Sequence, residues 1–159
     1  MNPTTKKILL IAGGALVVSS IVGFQKVTKI KEIFDGMDIE PDIISNFDIN
    51  FNEQTIRFNL DIKLTNNSLE DLYVTGASIV TLKQIILFYK DTYLATVNVN
   101  IGEIEIPRKS EYFLRKIPVA VDAVNVLQNI TSLINFKIEN LTVTGIINAM
   151  GNDYEIGAE

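Results

Sequence analysis

The sequence predicts a mainly β chain: an antiparallel β-sandwich of seven or eight strands with one crossing helix, preceded by a single N-terminal transmembrane helix. Three observations predict it. A run of 18 uncharged residues, Ile8 to Gln25, lies between lysines near the N-terminus. After Gly36 the apolar pattern changes from helical spacing to strict alternation. Turn residues then recur at intervals of about ten residues, the spacing of short strands folded into two antiparallel sheets. Two units follow, residues 1–35 as an anchor and juxtamembrane helix and residues 36–159 as the sandwich.

The first unit reads ILLIAGGALVVSSIVGFQ. As a helix it reaches roughly 27 Å at 1.5 Å per residue, which just spans a bilayer core. Ile8, Leu9, Leu10, Ile11, Leu16, Val17, Val18, Ile21, Val22 and Phe24 supply the apolar surface. Together they contribute roughly −3 to −6 kcal/mol of insertion free energy, partly offset by Gly13, Gly14, Ser19 and Ser20. Lys6 and Lys7 on one side and Lys26, Lys29 and Lys31 on the other suit lipid head groups. A cleaved signal peptide and a buried core helix compete with this reading. Against cleavage, Ile21 stands where a small residue is needed; against a core helix, the run is apolar all round. Ala15, Ser19 and Gly23 repeat at four-residue spacing and form a candidate helix–helix face, although small residues are common in membrane helices generally. Val27, Ile30 and Phe34 carry the helical spacing onward until Asp35-Gly36 stops it.

In the second unit the clearest strand is Thr55 to Leu64, where Ile56, Phe58, Leu60, Ile62 and Leu64 alternate with polar residues. Phe47, Ile49 and Phe51 alternate in the same way, and Asn52-Glu53-Gln54 links the two runs as a hairpin. Further strands are expected at Leu72 to Leu82, Gln84 to Tyr89, Tyr93 to Ile101, Tyr112 to Val121, Phe136 to Ile147 and Tyr154 to Ile156. The breaks fall at Thr65 to Ser68, Lys90 to Thr92, Gly102, Pro107 to Ser110 and Gly151 to Asp153. Asp122 to Ile134 places Val126, Leu127, Ile130, Leu133 and Ile134 at helical spacing, so one helix is expected there with Asp122 as its N-cap.

Composition removes much chemistry. The chain has 24 Ile and 15 Asn but no Cys, His or Trp, which excludes thiolate nucleophiles, disulfides and thiolate metal sites. Residues 1–31 hold five lysines and no acid; residues 32–159 hold 9 basic and 19 acidic side chains, a balance of −10. Such an acidic body argues against nucleic acid as a partner. Asp48-x-Asn50-x-Asn52 resembles the start of a calcium loop, but Glu53 and Asn59 stand where the loop needs glycine and a bidentate glutamate. Glu103-x-Glu105 reads as a solvated strand face, since general acid–base work needs carboxylates in a cleft with separated pKa values. Serine lacks a partner base in any Ser-x-x-Lys arrangement, and no glycine-rich phosphate loop is present. Asn66, Asn129 and Asn140 are sequons, frequent by chance in so Asn-rich a chain. Arg108-Lys109 and Arg115-Lys116 are candidate basic pairs, split between faces if strand alternation holds. No catalytic residue, metal ligand or cofactor is expected.

Residues 40–157 resemble the late-embryogenesis-abundant type 2 family, also called the WHy domain. The residues that carry the likeness are the long alternating strand closed by Thr65-Asn66-Asn67-Ser68, the run Ile104-Glu105-Ile106-Pro107-Arg108-Lys109-Ser110, Ile117-Pro118-Val119-Ala120-Val121, and Val143-Thr144-Gly145. The family's turn usually reads Asn-Pro-Asn, and here the proline is missing. The resemblance implies a seven-stranded sandwich with one helix, often behind a single membrane anchor, in proteins linked to stress protection or membrane-surface binding. It implies no enzyme.

The expectation is therefore a non-enzymatic structural or interaction protein presenting a sandwich at a membrane surface. Its partners are the lipid bilayer and other proteins, including further copies of itself through the transmembrane helix. One alternative is a module that binds lipid or a small apolar ligand between its sheets. Another is a structural protein of a membrane-containing virus, a virion component linking bilayer and shell. The expected topology is single-pass with the N-terminus inside and the domain outside.

Overall fold

The computed structural model describes residues 30–72, 80–122 and 136–157. Residues 30–35 are helical, and Gly36 ends the helix by donating its N–H to the carbonyls of Glu32 and Ile33, both at 3.2 Å. Seven strands follow: β1 (Met37–Asn50), β2 (Thr55–Asn66), β3 (Val80–Tyr89), β4 (Thr92–Ile101), β5 (Ser110–Asp122), β6 (Leu141–Ala149) and β7 (Asn152–Ile156). A 3-10 turn at Ile138–Asn140 leads into β6. The strands form two antiparallel sheets, in the orders β1-β2-β5 and β4-β3-β6-β7. β1 faces β6 and β4 faces β5 across the sandwich.

Alternation explains the core. Ile56, Phe58, Leu60, Ile62 and Leu64 of β2 all point inward and are buried, as their spacing predicts. They meet Leu82, Ile85 and Leu87 of β3 and Val143 and Ile147 of β6 in one apolar cluster. Ile33 and Phe34 of the N-terminal helix belong to the same cluster, with the Phe34 and Tyr154 rings 4.9 Å apart. The helix end is thus packed onto the sandwich. A Cβ at Gly36 would lie 3.0 Å from the backbone nitrogen of Ser68, so the close approach of helix end and 66–68 turn selects glycine.

Two hairpins turn in the minimum length. β3 and β4 are joined by Lys90-Asp91, with φ of 48° and 64°, and β6 and β7 by Met150-Gly151, with φ of 52° and 80°. Positive φ at both central residues is the turn whose twist matches the flanking strands. The expected hairpin between β1 and β2 is present, with Phe51 to Gln54 as its turn.

Several boundaries differ from expectation. The break expected between Leu82 and Gln84 is absent: β3 runs unbroken from Val80 to Tyr89, Lys83 is an extra residue against β6, and residues 73–79 of the expected first strand lie outside the described residues. A bulge interrupts alternation without ending a strand. Leu72 forms only an isolated bridge to Ile106. Phe136 and Lys137 precede the 3-10 turn, so the last long strand begins at Leu141. Asp122 is the final residue of β5, and the helix expected after it lies outside the described residues. The apolar run Ile8 to Gln25 lies outside them too, with Lys6, Lys7, Lys26, Lys29 and the Ala15, Ser19, Gly23 face. Among the described residues no helix is long and apolar enough to cross a membrane. Lys31, on the described part of the N-terminal helix, is exposed.

Candidate functional site

The sandwich has two chemically different ends. At the end where the N-terminal helix enters, the chain crossings are tied by Asn66, which is 0% exposed. Its Nδ2 donates to the carbonyls of Glu70 at 2.9 Å and Ile106 at 3.0 Å. Its Oδ1 accepts from the Ser68 N–H at 3.0 Å and the Ser68 hydroxyl at 2.6 Å. The Lys109 N–H donates to the Asn66 carbonyl at 2.8 Å, and the Asn67 N–H donates to the Gly36 carbonyl at 2.7 Å. Around this core Lys109 Nζ donates to the Asn67 carbonyl and the Arg108 N–H donates to Asp71 Oδ1 at 2.7 Å. Every hydrogen-bonding position of the Asn66 amide is used, the condition under which a buried polar group stabilises a fold. The Asn66 sequon falls on a fully buried side chain whose amide is used in the fold.

Among the described residues the opposite end carries exposed apolar side chains beside the polar turn and its Glu53–Arg57 ion pair. Phe47, Ile49 and Phe51, expected on a buried strand face, are 41%, 38% and 80% exposed. The physical reason is position. β1 is an edge strand with register shifts between Pro41 and Ile43 and between Ser45 and Asp48, and Phe51 already lies in the turn beyond it. Inside this end an aromatic group closes the core: Phe47 lies 6.1 Å from Phe58 and 6.0 Å from Phe136, and Phe136 stacks on Tyr89 at 4.8 Å. Lys90 Nζ stands 5.7 Å from the Tyr89 ring centre, a cation–π distance. Sequence reasoning shows Phe47 and Phe136 only as members of strands; their convergence depends on tertiary packing.

The polar face of β1-β2-β5 is an ion-pair network. Lys63 pairs with Glu40 at 2.9 Å and Glu111 at 3.7 Å; Arg115 pairs with Asp42 and Asp61, both at 2.9 Å, and lies 4.6 Å from the Phe113 ring centre. The Lys116 N–H donates to Asp61 at 2.7 Å. That bond, then Arg115, holds the Asp61 carboxyl below the usual carboxylate range, while the bond to Glu40 raises Lys63. On the other sheet, burial pushes Asp153 upward, but the bonds from Asn148 at 2.6 Å and Lys83 at 2.8 Å outweigh it and the net shift is downward. The Arg108-Lys109 and Arg115-Lys116 pairs do not merge into one basic patch, because Lys109 and Arg115 are engaged at separate places.

The remaining candidates resolve into structural roles. Asn50 Oδ1 accepts from the N–H groups of Asn52 and Glu53, both at 3.0 Å, so the Asp48-x-Asn50-x-Asn52 run shapes the hairpin turn. Glu103 and Glu105 are exposed and alternate with buried Ile104 and Ile106. Among the described residues no group of three His, Cys, Asp or Glu side chains is placed to hold a metal ion.

No family model matches the chain, and no curated protein matches it. Among solved structures, a Northeast Structural Genomics Consortium target is similar over 80% of this chain and 85% of its own, at 10% identity and a TM-score of 0.39. A protein from Archaeoglobus fulgidus is similar over 75% of this chain and 86% of its own, at 9% identity and a TM-score of 0.35. At these scores neither likeness carries an argument about function.

Proposed function

We propose that this chain is a membrane-anchored, non-enzymatic interaction protein that holds a β-sandwich at a bilayer surface with its apolar hairpin end pointing away from the membrane. The observation that carries the reading is the uncharged run Ile8 to Gln25 between Lys6-Lys7 and the lysines at 26, 29 and 31. The entry geometry agrees with it. The helix that follows the run reaches the sandwich at Gly36, and β1 then runs 14 residues to the hairpin turn. At 3.3 Å per residue that puts Phe51 about 45 Å from the entry point. An exposed apolar patch that far from the anchor is available to a partner in a way that a patch beside the lipid is not. The likeness to the late-embryogenesis-abundant type 2 family supports the same reading, since two of its motif segments, Asn66 to Ser68 and Ile104 to Ser110, are bonded together at the end where the helix enters. Deleting residues 1–25 is expected to move the protein from the membrane fraction to the soluble fraction; a truncated chain that still pellets with membranes refutes the anchor.

A second reading is favoured by the aromatic group of Phe47, Phe58, Tyr89 and Phe136 beside exposed Ile49: the same end takes up a lipid chain or small apolar ligand. Native mass spectrometry separates the two, because a bound ligand adds a discrete mass to the protein and a docking surface adds none.

A further inference from the structure

We infer that β4 is a docking edge for a second copy of this chain, the two β4 strands pairing antiparallel into one continuous sheet. Four strands end the two sheets, β1 and β5 in one and β4 and β7 in the other. Exposed edges invite pairing, and proteins block them with charge, proline, bulges or brevity. β1 carries Asp38, Glu40, Asp42, Asp48 and Pro41 as well as two register shifts. β5 carries Glu111, Arg115, Lys116 at a φ of 56°, and Pro118. β7 is 5 residues long and holds Asp153 and Glu155. β4, Thr92–Ile101, is 10 residues long with no charged residue, no proline and no glycine. Its only blunting is bulges near each end, at Leu94 and at Val99-Asn100, which leave Ala95 to Asn98 in regular register with β3.

The occupant follows from charge. Residues 32–159 carry a balance of −10, so a second copy is repelled from most of this surface. Along β4 no like charges meet, since the strand has none. The inward side supports the same partner: Val97, Val99 and Ile101 are only half-buried against the core, and the equivalent residues of a second β4 are the matching apolar cover. Among the described residues nothing pairs with this edge.

Antiparallel pairing of identical strands places the twofold axis perpendicular to the sheet, so the two helical segments at residues 30–35 leave at opposite ends of the dimer. In so far as the inference rests on the anchored reading, the contact then joins copies on facing membranes and not neighbours in one bilayer. The regular ladder from Ala95 to Asn98 is short, which makes this a weak contact and calls for a trapping experiment.

The chain has no cysteine, so single substitutions report cleanly. Ala95→Cys, Thr96→Cys, Val97→Cys, Asn98→Cys and Val99→Cys are made one at a time in the full chain, with Glu155→Cys on β7 as control, and oxidised in detergent. Directly opposed antiparallel residues lie within disulfide reach, so cross-linking is expected to peak at the residue nearest the axis and to fall on both sides. Adding Thr96→Lys to the best variant, or Asn98→Lys where the cysteine stands at 96, is expected to lower its yield about tenfold by facing like charges across the axis at exposed positions. A yield no higher than the control at every β4 position overturns the proposal. Reconstituted vesicles separate the two ideas. A chain that floats with vesicles but shows a flat scan leaves the anchor standing without the edge. A peaked scan in a chain that does not float leaves the edge without the anchor. In floating chains, cross-links between two differently labelled vesicle populations support the facing-membrane arrangement, and cross-links confined to single vesicles overturn it.

Discussion

Removing the amide of Asn66 takes one bond each from the carbonyls of Glu70 and Ile106, which keep the Ser68 hydroxyl and the Leu72 N–H, and takes the acceptor of the Ser68 N–H. Unmade hydrogen bonds at a buried site cost about 1–3 kcal/mol each, less whatever water enters. Asn66→Ala is therefore expected to destabilise the fold by about 3 kcal/mol, read as a lower denaturant midpoint; a loss under about 1 kcal/mol contradicts the role given to the turn. Gly157 offers a second test. It sits at a φ of 77°, and a Cβ there would fall 2.2 Å from Ile39 Cγ2, so Gly157→Ala is expected to lower the melting temperature, and an unchanged value refutes the packing. Titration adds a third. Asp61 and Asp153 both have folded pKa values below the ordinary aspartate value of 3.8. Groups depressed on folding contribute stability that is present above their unfolded pKa and lost as pH falls through the folded one. Asp153→Asn combined with Asp61→Asn is thus expected to weaken the protein at neutral pH and to flatten its loss of stability below about pH 4. An acid limb as steep as in the parent chain contradicts those two assignments.

At the scale of the element, the two-residue turns are the places where sequence and geometry disagree most. Met150 occupies a position with φ of 52°, which asparagine tolerates far better than methionine. Met150→Asn is expected to stabilise the β6–β7 hairpin by about 0.5 kcal/mol, measured as a small rise in melting temperature, and a fall contradicts the turn assignment. The elements are legible in the sequence to different degrees, for physical reasons. β2 stands out because it is the central strand of its sheet, so each inward residue must be apolar and each outward one polar. β3 reads as two strands because Lys83 bulges out and reverses the alternation, and pattern alone cannot tell a bulge from a turn. Phe47, Ile49 and Phe51 read as interior because alternation records only that two faces differ. It does not record that β1 is an edge strand whose register shifts between Ser45 and Asp48. Asn66 is recognisable as a turn residue, yet the partners that bury it include Ile106, 40 residues away.

At the scale of the whole molecule, the described sandwich has one end tied by hydrogen bonds and one with exposed apolar side chains. The lysine-flanked apolar run precedes the end tied by Asn66, and the exposed Phe51 marks the other end. In the proposed reading the two ends therefore act differently, the first joining the sandwich firmly to whatever the N-terminus is embedded in and the second meeting a partner. The same division explains why chemistry is hard to find in between, where charged side chains such as Lys63, Arg115 and Asp61 are engaged with one another and their neighbours. The partner-facing role predicts that Phe51→Asp leaves folding intact, because that side chain is 80% exposed, while abolishing capture of a partner by cross-linking; unchanged capture contradicts the role of the hairpin. The proposed anchoring depends on the affinity of residues 8–25 for hydrocarbon. The most direct measurement is alkaline carbonate extraction of membranes carrying the full-length chain. The chain is expected to stay with the bilayer and to be released when Leu16 and Val17 are both replaced by lysine; release of the unaltered chain contradicts the account.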